Sequence, residues 1–159
     1  MAADVHVVAR TGWTAAEAHR ALLEAAPAGP FDAATVQVGV NDQYRGGDPR
    51  SYRDDLAALL EAVSGSAGRI AVLSIPDWSV TPHAAGHDRE AAAAGVDAHN
   101  RQARLAADAA GAAWVDLTEI SRRAATRPDL LTGDGLHPSR VMYEQWLGPI
   151  LAAIVPEGR

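Results

Sequence analysis

The chain contains no cysteine, which removes disulfides, thiolate nucleophiles and Cys-ligated metals from consideration. Lysine is absent too: all 14 basic residues are arginines, so no side-chain amine can support Schiff-base chemistry. Positive charge is in deficit, 14 Arg against 20 Asp and Glu, for a formal net charge of −6. Nucleic acids and anionic membranes require a basic face, so neither is an expected partner. No apolar run approaches the roughly 18 residues of a membrane span. The opening "MAADVHVVAR" lacks the basic region, apolar run and small-residue site of a signal peptide, which makes the cytoplasm the expected location. No Gly-rich phosphate loop is present, which sets aside a nucleotide-binding flavodoxin-like module. His83 and His87 are spaced i, i+4, but Pro82 and Gly86 place them in a loop and no third ligand is evident. No metal and no cofactor is expected.

What is present suits one domain over 1–159, with 48% hydrophobic residues and a chain long enough to bury a core. Four short apolar runs predict buried strands at 4–9, 35–40, 69–75 and 112–117. Helical patterns lie between them. The first spans about 14–26 and opens on "TAAE", a capping box of Thr14 with Glu17. A second starts near Ser51, read as its N-cap, and carries Leu56, Leu59, Leu60 and Val63 as one stripe. A third runs over about 88–110, and a fourth over about 139–154 with Pro149 placed to kink it. Strand–helix alternation predicts an α/β fold, a mostly parallel sheet with helices on both faces.

Sites in open parallel sheets form at the carboxyl ends of the strands. The segments following those ends are "ARTGW" (9–13), "NDQYRGGD" (41–48), "PDWSVTPHAAGHD" (76–88) and, after a helical turn, "TGDGLHPS" (132–139). In the last, Asp134 and His137 are three apart, so one turn brings both to one side. A carboxylate accepting from one imidazole nitrogen fixes the tautomer and leaves the other nitrogen as a general base. The bland alternative is a loop histidine with an aspartate nearby. Asn41 directly follows a strand and could donate to an oxyanion, or cap the following turn as Asx residues often do. Gly12 could offer a bare backbone N–H to a substrate, or be a turn glycine. Trp78, just past a strand end, is the tryptophan best placed to touch a ligand. His6, His19 and His99 read as surface or half-buried.

These residues together resemble the SGNH, or GDSL-type, serine hydrolases. "GVND" (39–42) looks like the family's third block, "DGLHPS" (134–139) like its fifth, and "ARTGWT" (9–14) like its second. "IPDW" (75–78) and "AAGHDRE" (84–90) read like bacterial members. The resemblance implies a three-layer α/β/α, flavodoxin-like fold with strand order 2-1-3-4-5. It implies hydrolysis of a small acyl ester through a Ser–His–Asp triad, with Asp134 and His137 as the acid–base pair and Asn41 and Gly12 as oxyanion donors. One block has no counterpart. The family's first, Gly-Asp-Ser on the first strand, precedes the block-two glycine, yet only eleven residues precede Gly12 and none is serine. An N-terminal truncation is therefore the expectation, and an export signal could have been lost with the missing piece. The missing strand would lie between 4–9 and 35–40, which must either pair directly or leave an apolar groove. Self-association through that incomplete edge is expected, because unpaired strand edges are sticky. As written, the chain is expected to be inactive, its cleft a remnant able at most to bind a ligand.

Overall fold

The computed structural model describes residues 4–155. Three parallel strands, β1 (Ala34–Val36), β2 (Ile70–Leu73) and β3 (Ala113–Val115), form one sheet in the order β1-β2-β3. The register pairs Val36 with Val72 and Leu73 with Val115. The helices are α1 (Ala15–Ala25), α2 (Val40–Tyr44), α3 (Pro49–Ser64), α4 (Arg89–Ala109), α5 (Thr118–Arg122) and α6 (Arg140–Ile154). The α/β expectation holds.

Side chains alternate across the central strand, as a pleated backbone requires. Val72 joins Val36, Leu56, Leu60 and Ala107 in a core under α1, α3 and α4. Ala71 and Leu73 join Leu117, Leu130, Met142 and Trp146 under α6. Two cores on opposite faces make three layers. Leu56 and Leu60 are fully buried, each stabilising the fold by roughly 1.5–3 kcal/mol.

Local sequence explains the helix boundaries. Thr14 and Glu17 form the expected capping box at α1, and the buried carboxylate of Asp42 takes the Ala15 N–H at 3.1 Å as well. At α3 the expectation of a Ser51 cap is corrected. Asp48 is the N-cap, its carboxylate accepting from Arg50 and Ser51 N–H, because Pro49 is suited to the first helical position and sets the cap three residues earlier. Pro149 does not break α6, which runs unbroken to Ile154. His99 is not half-exposed but buried, its Nδ1 lying 2.9 Å from the Gly95 carbonyl oxygen.

The main correction concerns residues 4–9. They form no strand, and Val5 and Val7 are each 73% exposed. An extended segment becomes a strand only when a neighbour takes its backbone groups, and here a cleft separates it from β1. Of the two outcomes expected for that gap, a groove is found rather than direct pairing. Val8 and Ala9 line one wall, Gln37 and Val38 the other. The outer edge of β1 is consequently unpaired among the described residues. No helix among them is long and apolar enough to cross a membrane.

Candidate active site

Asp134 and His137 meet on an exposed turn between the short 3₁₀ segment Pro128–Leu130 and α6. Asp134 Oδ1 accepts from the Thr132 hydroxyl at 2.6 Å and from the backbone N–H of Leu136 and His137 at 2.9 and 3.0 Å. Its Oδ2 lies 2.6 Å from His137 Nδ1. The Thr132 hydroxyl first, then the His137 ring and the two backbone donors, hold the Asp134 carboxyl well below the usual carboxylate range. The turn needs Gly135, whose φ is +69° and whose missing Cβ would come within 3.1 Å of Pro82. Ser139 closes it, capping α6 through Met142 N–H and donating to the Asp129 carbonyl at 2.6 Å.

On the opposite side, β1 passes through Gly39 into α2. Gly39 has φ +124°, and a Cβ there would meet the Tyr52 ring at 2.7 Å, so only glycine lets the chain turn here. The turn brings Asn41 to the end of the strand. One N–H of its amide donates to the Trp13 carbonyl at 3.0 Å, which orients the side chain and leaves a second N–H. Gly12 is fixed through its own carbonyl, which accepts from Arg45 Nη2 at 2.7 Å. Its N–H has no partner among the described residues.

Gly12, Asn41, Trp78 and His137 all line one cleft of about 630 Å³. The four segments expected to converge on one edge of the sheet do so. Trp78 is buried to 6% exposure and donates its indole N–H to Gln43 Oε1 at 2.6 Å. Its turn is anchored by Asp77, which accepts from Ser79 N–H and pairs with Arg122 Nε at 2.9 Å. Arg122 also reaches Asp97 and Glu119. Among the described residues no group of three or more His, Asp and Glu is arranged to hold a metal ion.

Sequence reasoning missed Tyr44 and His83, which also line the cleft. It also missed Asn100, whose buried amide bonds both backbone groups of Ile75 where β2 runs toward the cleft. Asn100 sits on the inner face of α4, beside the apolar Val96 and Ala103. A polar residue in an apolar helical stripe was the signal that could have found it.

Solved structures share this architecture. A member of the lipolytic G-D-S-L family from Veillonella parvula aligns with TM-score 0.70 at 15% identity, over 89% of this chain and 74% of its own. An acetylxylan esterase from Geobacillus stearothermophilus aligns with TM-score 0.64 at 19% identity, over 92% of this chain and 69% of its own. Catalytic mutants of that esterase have been solved at a serine, an aspartate and a histidine, the last two three positions apart. An alpha/beta hydrolase enzyme from the metagenome of Lake Arreo, Spain, aligns with TM-score 0.64 at 22% identity, over 90% of this chain and 68% of its own. Among curated proteins no relative matches. The family model that does match spans residues 1–145, and the chain belongs to the GDSL-like Lipase/Acylhydrolase family.

Proposed function

We propose that the chain carries the acid–base and oxyanion parts of a site that hydrolyses small acyl esters, and that as given it lacks the nucleophile. The observation that carries this reading is the 2.6 Å contact of His137 Nδ1 with Asp134 Oδ2. That contact leaves Nε2 as a base at the cleft which Gly12 and Asn41 also line. With a serine hydroxyl in that cleft, Nε2 takes its proton as the oxygen attacks the ester carbonyl carbon. The Gly12 N–H and the second Asn41 amide N–H receive the developing oxyanion. Collapse breaks the bond to the alcohol, and His137 returns the proton to the leaving alkoxide. Water, activated the same way, then releases the acid. Asp134 holds the imidazole tautomer and stabilises its charged form throughout.

The seven serines of the chain do not supply that hydroxyl. Ser74 is fully buried, its Oγ accepting from Leu117 N–H and the Thr118 hydroxyl. Ser121 lines the cleft, but its hydroxyl is engaged, donating to the Thr118 carbonyl and accepting from Asp77 N–H, and Ser79 is buried. Ser139 caps α6. Ser51 and Ser64 lie on α3 and Ser66 just beyond it. Losing a triad serine costs about 10⁶ in kcat, so the chain binds esters without turning them over. The open edge of β1 and the exposed Val5 and Val7 support a second part of the reading, that copies of the chain self-associate there.

The test is incubation with 4-nitrophenyl acetate and with a fluorophosphonate probe. The expected result is nitrophenol release at the buffer rate and no labelled serine. A labelled Ser74, Ser79 or other serine contradicts the reading.

A further inference from the structure

Beside the dyad, three rings line the cleft, Tyr44, Trp78 and His83, and His87 packs against them from outside it. Tyr44 meets Trp78 edge-on with centroids 5.2 Å apart. His83 and His87 lie 6.0 and 5.8 Å from Tyr44 and stack on each other at 6.1 Å. The Tyr44 hydroxyl lies 3.4 Å from His83 Nε2, so the ring is held in place while remaining 46% exposed. The Trp78 N–H is taken up by Gln43. The wall therefore offers ring faces and edges to the cleft more than hydrogen-bond donors.

Its position ties it to the chemistry. Tyr44 stands three residues after Asn41 on α2, a spacing that puts both on one side of the helix. His83 is docked on the turn of the dyad: its backbone N–H donates to the Gly135 carbonyl at 3.3 Å, and Pro82 packs against Gly135. The rings thus join the element that carries the oxyanion donor to the element that carries the base.

We propose that Tyr44 and His83, backed by Trp78, form the subsite for the alcohol part of the ester and select aromatic alcohols over short open-chain ones. This rests on the ester-site reading above. His137 must hand its proton to the departing alkoxide, so the alcohol lies on the side of the 132–138 turn, where His83 is docked. An aryl ring there gains stacked and edge-to-face contacts that an ethyl group cannot make.

Because the chain lacks a nucleophile, intact esters serve as probes. Histidine ring resonances, assigned with His83→Ala and His137→Ala variants, are followed by NMR during titration with phenyl acetate, ethyl acetate and methyl benzoate. Phenyl acetate is expected to bind about fivefold more tightly than ethyl acetate, the scale of one favourable ring pair. Tyr44→Ala should bring the two to near equality, and Tyr44→Phe, which keeps the ring, should retain the preference. A preference undiminished in Tyr44→Ala overturns the subsite. So does methyl benzoate, whose ring is on the acyl side, binding as tightly as phenyl acetate. In both cases the His137 resonance still responds and the ester reading stands. No response of His137 to any ester overturns the ester reading and the subsite with it.

Discussion

Replacing Asn100 with leucine should cost the fold several kcal/mol, although Asn100 is distant from the dyad in sequence. The residue is buried on α4 and holds Ile75, two residues past the end of β2. Its Oδ1 accepts from Ile75 N–H at 2.8 Å, and its Nδ2 donates to the Ile75 carbonyl at 3.1 Å and to the Thr118 hydroxyl at 3.2 Å. Leucine matches the volume and removes all three bonds. Ile75 is 1% exposed, so water does not replace them. Each of the two orphaned buried backbone groups costs about 1–3 kcal/mol, giving a loss of roughly 2–6 kcal/mol. Set against a total stability of about 5–15 kcal/mol, that is a large share. At roughly 2–4 °C per kcal/mol for a chain of this size, Tm should fall by about 4–24 °C. Urea unfolding followed by tryptophan fluorescence measures the loss directly. Asn100→Asp keeps the acceptor for Ile75 N–H but sets a carboxylate against the Ile75 carbonyl, and should be at least as damaging. A leucine variant within about 1 kcal/mol of the parent would refute the claim that these bonds hold the floor of the cleft.

Two further outcomes follow from the same structure. Burial raises the Asp42 pKa, the Ala15 N–H opposing it, so the charged form is favoured less in the folded state than in the unfolded one. The resulting cost is absent below the unfolded pKa and grows as pH rises, complete only above the raised folded value. Asp42→Asn retains an oxygen for Ala15 N–H without the charge, so over the window that opens at the ordinary carboxylate value of about 4 and runs upward in pH the parent should lose stability relative to this variant. A parent that gains on the variant over that window reverses the sign and rejects the account. Self-association should appear in size exclusion with light scattering as a mass that rises with concentration, and Val5→Asp with Val7→Asp should lower it. A concentration-independent monomer in the parent chain argues against the β1 edge as a contact surface.

The sequence carried the signals that depend on neighbours along the chain. The Thr14–Glu17 capping box, the Leu56–Leu60 stripe of α3 and the Asp134–His137 turn are all set by short spacings, and all are found. Residues 4–9 depart from the expectation for the opposite reason. Their apolar pattern suits a strand, but strand formation depends on a partner, and the groove beside β1 holds none. Asn41 shows an intermediate case. Its place at a strand end was readable, whereas its bond to the Trp13 carbonyl joins residues 28 positions apart and no local pattern announces it. The ring wall was hidden likewise, because Tyr44 and His83 come together only when α2 and the Pro82–Ala84 turn meet at the cleft.

The central claim is that His137 and Asp134 form a working acid–base pair whose only missing partner is a serine. The most direct measurement joins to the chain a segment that ends in Gly-Asp-Ser and can enter the groove between residues 8–13 and 37–41. Turnover of 4-nitrophenyl acetate and labelling by a fluorophosphonate are then followed together. The account predicts that both appear, and that His137→Ala in the joined protein abolishes turnover. Labelling and turnover that survive His137→Ala, or a folded joined protein that neither labels nor turns over, would contradict it.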